Sequence, residues 1–432
     1  PHTQRLGLLS GRWRPEASSA ARRVNHGSPH ESQSHGVPPG RGGGALGAYQ
    51  IGIFEALAEA GIQPDWVVGT SVGAINGALI AGNPEGERLK ALESFWYGIA
   101  QPAASMGPAF HPWERSVART SAMLWGIPGF FRPRPLWTVP IWQSFFGEPP
   151  SLYDTEPLGD TLNRLVDFER LDARHPENVR LSVGAVNIGT GALRYFDSSH
   201  EALDHRHILA SGALPPAFPP VWVDGEAYWD GGLYSNTPVS WVLSERPHGE
   251  TVVNCYVIDL WSADGKVPET LQEAQLREKD IQYSSRAGEH LNLLEENQAL
   301  RMGIENLADH LPEELRQSPK IQRILAMTQQ PSINVVRLLA SARPGETSLK
   351  DIDFSRATID SRRDSGYQDM QEVLSRCSQF APLPEDIGVI VRNFTRNAEG
   401  ELVSLSTPDA SPVDDDQASI TAEDLPSQAT GS

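Results

Sequence analysis

Cysteine is scarce in this chain: Cys255 and Cys377 are the only two in 432 residues. Thiols so few and so far apart make neither a disulfide framework nor a metal cluster. Cys255, within the apolar run TVVNCYVIDL, reads as a small buried hydrophobe. Long apolar runs are missing too. No segment approaches the roughly 20 residues needed to cross a bilayer, and the N-terminal PHTQRLGLLSGRWRPEASSAARRVNHGSPHESQSHG lacks the apolar core of a secretory signal. That stretch is Arg- and Ser-rich and acid-poor, a bias shared with organelle transit peptides, but its helical periodicity is poor. A cytoplasmic protein is the default expectation. Positive charge is in deficit, and the formal net charge of −19 argues against a nucleic-acid binder. It also predicts repulsion from anionic membrane surfaces. The 39% apolar share is low for a fully packed chain, as when poorly ordered segments dilute a core.

The length suits one large α/β domain with additions, or two domains. Residues 1 to about 39 show no sustained period and are expected to be disordered. ALGAYQIGIFEALAEA then places Tyr49, Ile53, Phe54 and Leu57 on one helical face, and Gly61 stops the helix. PDWVVGTSVGAINGALIAG reads as a strand from Trp66 to Val68, a tight turn and a helix of small residues. Residues 101–150 differ in kind, with Trp125, Phe130, Phe131, Trp137, Trp142, Phe145 and Phe146 among closely spaced prolines that forbid a long helix. This is a loop-rich cap, packed on its own domain or serving as an apolar lid, with residues 125–146 available for peripheral membrane contact.

Two hairpins are expected next, turning at Gly189–Gly191 and at Asp224-Gly225, with a short helix and a proline-fixed loop between them. VVNCYVIDLW (252–261) is continuously apolar, as in a strand buried on both faces. Residues 262–330 read as charged helices, SINVVRLLAS (332–341) as a strand and SGYQDMQEVLSR as a helix. After about Ala381 the chain weakens into an acidic tail. Strand–helix alternation implies a mainly parallel, helix-covered sheet. The expected organisation is thus 1–39, a core at 40–261, a helical region at 262–380 and a tail at 381–432.

GTSVG, Gly69 to Gly73, matches G-x-S-x-G. Glycines on either side let Ser71 occupy a strained strand-to-helix turn that exposes its hydroxyl at a helix N-terminus. GGGALG, Gly42 to Gly47, also satisfies G-x-G-x-x-G. A dinucleotide loop wants a strand before it and an acidic residue ending the next strand, whereas here the next strand ends in the serine elbow. A loop of backbone N–H groups for an oxyanion fits better. A serine nucleophile needs a base. Asp230, followed by Gly231 and Gly232 in YWDGGLYSNTP, is one candidate, although Asp-Gly-Gly is a good turn in its own right. His248, His290 and His310 are the rivals, in a polar turn and on charged helices.

GGGALGAYQIGIFEAL, GTSVGAINGAL and ALPPAFPPVWVDGEAYWDGGLYSNTPV occur in this order, and together they resemble a patatin-like phospholipase over roughly Gly40 to Val239. The resemblance implies a three-layer α/β/α sandwich and a serine–aspartate dyad without histidine. It implies acyl hydrolysis of phospholipids, lysophospholipids or other acyl esters, with no metal or cofactor. By that match Ser71 is the nucleophile, Asp230 the base, and Gly42, Gly43 and Gly44 the oxyanion loop, with Gly47, Gly69, Gly73, Gly231 and Gly232 as motif glycines. The extension from about 262 resembles a bacterial subgroup with its own C-terminal region.

Two departures stand out. Leu46 occupies a position where many family members carry a cation, leaving Arg41 as a substitute. The apolar strand that normally feeds the glycine loop is replaced by SHGVPPGR, whose Pro38 and Pro39 lack donors for a central ladder. The first 39 residues, starting without methionine, have a bias like that of translation in a wrong frame and are expected not to be the natural N-terminus. The alternative is a catalytically impaired lipid- or protein-binding homologue.

Overall fold

In the computed structural model the residues described are 14–15, 33–36, 44–101, 121–134 except 123, 151–234 except 173–177, and 238, 241–242 and 245. Beyond these they are 252–328 except 263–264 and 285–286, then 332–340, 350–376 and 389–405 except 398. Trp137, Trp142, Phe145, Phe146, Cys377 and residues 406–432 lie outside them. The tail expected from 381 onward is corrected in part, because strands Val389–Arg396 and Leu402–Leu405 within it pair into a sheet that imposes their conformation.

Ten strands build two five-stranded sheets. We label them β1 (Gln33–Gly36), β2 (Trp66–Thr70), β3 (Arg180–Asn187), β4 (Leu193–Asp197), β5 (Val221–Val223), β6 (Glu226–Asp230), β7 (Val252–Asp259), β8 (Ser332–Leu339), β9 (Val389–Arg396) and β10 (Leu402–Leu405). In one sheet β1, β7, β8 and β9 run parallel, and β10 closes the edge antiparallel to β9. In the other, β2 lies parallel to β3, while β4 and β6 pair with β3 antiparallel and β5 pairs with β6. Both expected hairpins are present, and a short hairpin loop can join only antiparallel strands. The parallel pairing therefore falls mostly in the sheet whose strands are joined through helices.

Alternation along the strands gives each sheet two buried faces. Val67, Tyr256, Ile258, Val336 and Leu338 join the larger apolar cluster, with helices α1 (Tyr49–Glu59), α2 (Val72–Ala81) and α3 (Arg88–Gly98). Trp66, Val68, Val253, Cys255, Val257, Ile333 and Val335 face the other way, onto Leu291 and Leu294 of the helix Ala287–Asp309. Helix, sheet, helix is the three-layer order expected. Cys255 is buried, as its apolar run implied.

The expected helix over 45–60 appears as a 3-10 turn, Gly44–Ala48, running into α1, and Gly61 follows it in the left-handed region at φ 69°. Every residue of α2 is buried, which its small side chains allow. The C-terminal region enters this packing through the helix Arg356–Arg376. There a Cβ on Gly366 would stand 2.0 Å from the Tyr49 carbonyl and one on Gly52 1.9 Å from that of Arg363, so the two helices cross nearly in backbone contact. Tyr49 donates to Asp369 at 2.6 Å, and Arg396 grips the same carboxylate. The Arg363 guanidinium pairs with Glu55 and Glu93.

The N-terminal stretch differs from its expectation in one respect. Although expected to be disordered, it supplies β1 and a two-residue strand, Arg14–Pro15, paired with Ile62–Gln63. The polar segment QSHG thus takes the place of the apolar strand before the glycine loop, ending before Pro38 and Pro39. It pairs with β7 at Val252–Cys255, and no ladder joins it to β2 among the described residues.

Candidate active site

The nucleophile candidate sits where two strands meet. β2 runs along β3 until Thr70 faces Gly184. β6 comes from the opposite direction until Asp230 faces Ala185. Because β4 occupies Ser182–Val186 from the other edge, β2 and β6 share one edge of β3 and abut at their C-terminal ends. Residues 71 and 230 leave the sheet at that junction.

Ser71 is the N-cap of α2 at φ 57° and ψ −125°, a left-handed conformation that a non-glycine residue holds at a cost of about 1–3 kcal/mol. Gly69 makes the turn possible, since a Cβ there would stand 2.3 Å from the Gly73 carbonyl oxygen. Gly231 does the same for Asp230, the candidate base, since its Cβ would meet the Gly184 carbonyl at 2.4 Å. Asp230 is 2% exposed and accepts the Gly232 N–H at 2.7 Å. Burial pushes its carboxyl up from 3.8 to about 6, with the Gly232 N–H and the neighbouring Ser71 side chain pulling the other way.

Both side chains open onto a cavity of about 270 Å³. Its wall is mostly apolar: Ile75, Leu158, Phe130, Phe131, Phe218 and Phe354. The aromatic rings touch one another, Phe130 lying 5.5 Å from Phe354 and Phe131 5.5 Å from Phe218 between centroids. The described part of the cap therefore splits: Phe130 and Phe131 turn inward, while Trp125 is 78% exposed.

The structure brings together Ser71, Asp230, Gly232 and Gly44 at this cavity; Gly44 has φ 44°. Gly42, Gly43, Arg41 and His248 lie outside the described residues, as does the His290 side chain. His310 is exposed and bonded to the Asn306 carbonyl, and no histidine lines the cavity among the described residues. Leu46 is buried. Gly47 packs on Val72 and Trp96, and its carbonyl accepts from Asn76, which also takes the Trp96 indole N–H. This network locks the start of α1 to α2.

Sequence reasoning missed five contributors. Asp351, Ile352 and Phe354 reach the cavity from the C-terminal region, and nothing in their local pattern marks them. Asn76 could have been suspected as a polar residue within an otherwise apolar helix. Ser211 could not: a serine at the end of a short helix reads as a cap. Among the described residues no group of three or more His, Cys, Asp or Glu could hold a metal, and no helix is long and apolar enough to cross a membrane.

Two family models match the chain, one described as patatin-like phospholipase over residues 41–242 and one as patatin phospholipase over 281–386. Lysophospholipase NTE1 of Candida glabrata is 27% identical over 233 residues, which are 52% of this chain and 10% of that protein. The Yarrowia lipolytica protein of the same name is 27% identical over 227 residues, 52% of this chain and 13% of that one. The chain thus spans little more than a tenth of the length of these relatives. A 40-residue stretch is 60% identical to patatin-like phospholipase domain-containing protein 7 of Rattus norvegicus, 9% of this chain and 3% of that protein. Among solved structures, VipD from Legionella pneumophila superposes over 81% of this chain and 72% of its own at 14% identity, with a TM-score of 0.29, too loose a likeness to inform the site. With the serine elbow and the Asp-Gly-Gly turn on one sheet, and both matched spans packed together, the chain belongs to the patatin-like phospholipase family.

Proposed function

We propose that the chain is a lipid acyl hydrolase working through a Ser71–Asp230 dyad. The observation that carries this reading is the placement of the strained Ser71 and the buried Asp230 carboxyl side by side at the wall of one apolar cavity. Asp230 takes the Ser71 proton as Oγ attacks the ester carbonyl. Backbone N–H groups of the Gly42–Gly44 loop receive the developing oxyanion. Asp230 then returns its proton to the departing alcohol, and the acyl-enzyme forms. Water, deprotonated by the same carboxylate, attacks the acyl carbon, and as the acyl–Oγ bond breaks Asp230 returns the proton to Ser71 Oγ, freeing the fatty acid. A carboxylate is ordinarily too weak a base for this near neutrality; a group near 6 is better matched. The aromatic wall suits an acyl chain, and the relatives named as lysophospholipases make phospholipids or lysophospholipids the first substrates to try. We place the protein in the cytoplasm, with residues 125–146 as its contact with lipid surfaces.

A catalytically impaired lipid-binding homologue is the second reading. One observation favours it: the strand feeding the glycine loop is short, polar and unpaired to β2 among the described residues. A fluorophosphonate probe with a p-nitrophenyl acyl ester separates the two. Hydrolysis with labelling at Ser71, both abolished in Ser71→Ala and with hydrolysis lost in Asp230→Asn, supports the enzyme. Substantial turnover in Ser71→Ala overturns the dyad.

A further inference from the structure

Ser211 ends the helix His205–Ser211, is fully buried and does not line the cavity. Its hydroxyl is nevertheless committed to the site on both sides. Oγ accepts the backbone N–H of Ser71 at 2.9 Å and donates to the Gly184 carbonyl at 2.6 Å. The same carbonyl is the surface against which Gly231, next to Asp230, is pressed. One hydroxyl therefore ties the elbow to the strand junction that also seats the base.

Ser71 stands at the head of α2, where a backbone N–H has no partner within the helix. Its left-handed conformation survives only if its surroundings over-determine it. Ser211 supplies both a partner for the orphan donor and a fixed anchor for the strained residue. We propose that Ser211 is a positioning residue that sets the Ser71 Oγ at its attacking distance from substrate while Asp230 holds the proton acceptor in place. The proposal rests on Ser71 being the nucleophile. An alanine at 211 would leave the Ser71 N–H and the Gly184 carbonyl buried without partners and let the elbow relax.

The test compares wild type, Ser211→Ala and Ser71→Ala as full chains, reading the fluorophosphonate labelling rate, steady-state hydrolysis of p-nitrophenyl butyrate and thermal melting. Displacing a reacting group by about 1 Å can slow a reaction on the order of 100-fold. Ser211→Ala is therefore expected to label and turn over roughly 10- to 100-fold more slowly. Its KM should stay within about two-fold, because only an interaction expressed in the transition state is lost. A folded Ser211→Ala protein labelling at the wild-type rate overturns the proposal, as does a loss that merely tracks the unfolded fraction. Labelling that persists in Ser71→Ala sinks the dyad instead and is a separate outcome. If Ser211→Ala does not fold, Ser211→Cys, which weakens both hydrogen bonds at similar volume, is judged by the same criteria.

Discussion

Replacing Asp230 by asparagine should stabilise the protein at neutral pH while destroying the proposed activity. The carboxyl is 2% exposed and its proton is held up to about 6 instead of an ordinary 3.8. At about 1.36 kcal/mol per pH unit, that gap amounts to on the order of 3 kcal/mol. Below about pH 4 the group is neutral in folded and unfolded chains alike, and its contribution to stability is fully present. Between 4 and 6 the unfolded chain ionises first while the folded chain keeps its proton. The folded state then binds more protons, so stability falls as pH rises, and above about 6 the loss is complete. Asparagine carries no proton to lose and still offers an oxygen to the Gly232 N–H. Denaturant unfolding of both proteins from pH 4 to pH 8 isolates the effect, because all other titrations cancel in the difference. The difference should swing by about 3 kcal/mol towards the variant, with most of the change between pH 4 and 6. Parallel curves, or a wild type that gains on the variant with pH, would refute the buried-carboxylate reasoning.

Four further outcomes follow. Wild-type hydrolysis should rise with pH through about 6 and then level, as Asp230 becomes ionised; a rate already flat from pH 4 in a rate profile excludes Asp230 as the base. Gly231→Ala forces a Cβ to within 2.4 Å of the Gly184 carbonyl oxygen and should lose about 1–3 kcal/mol in thermal unfolding; an unchanged melting temperature contradicts this. Thr70 buries a hydroxyl with no partner among the described residues, so Thr70→Val should gain about 1 kcal/mol in the same measurement, and a loss would mean that the hydroxyl has a bonding role. Tyr49→Phe removes a 2.6 Å bond to the buried Asp369 carboxylate and should lose about 1.5–3 kcal/mol, seen as a lower denaturant midpoint.

The site was legible where local geometry dictates residue type. A strained elbow demands glycines at fixed offsets, so Gly69 and Ser71 announce themselves, and an aspartate before two glycines does nearly as well. Alternation and continuous apolar runs foretold β3 to β8 for the same reason: a pleated strand exposes its pattern every second residue. Contacts made at long range leave no such trace. Phe354 lines the cavity, yet its neighbours in sequence say nothing of a serine nearly 300 positions earlier. Ser211 is invisible because its importance lies in where Ser71 and Gly184 happen to be. β1 was misjudged because a polar tetrapeptide has no intrinsic strand signal; pairing with the apolar β7 imposes the conformation from outside.

The break between the two sheets has a mechanical consequence. Ser71 and Asp230 hang from one hydrogen-bonded ladder, whereas the glycine loop follows a strand that belongs to the other. On the proposed mechanism, proton transfer and oxyanion capture are thus mounted on separate frames. Their alignment is entrusted to side chains, the Asn76 bridge and the α1 crossing with Arg356–Arg376. On the same mechanism, a perturbation at that crossing would detune the oxyanion loop while leaving the Ser71–Asp230 pair in place, so that acylation fails although both residues keep their positions.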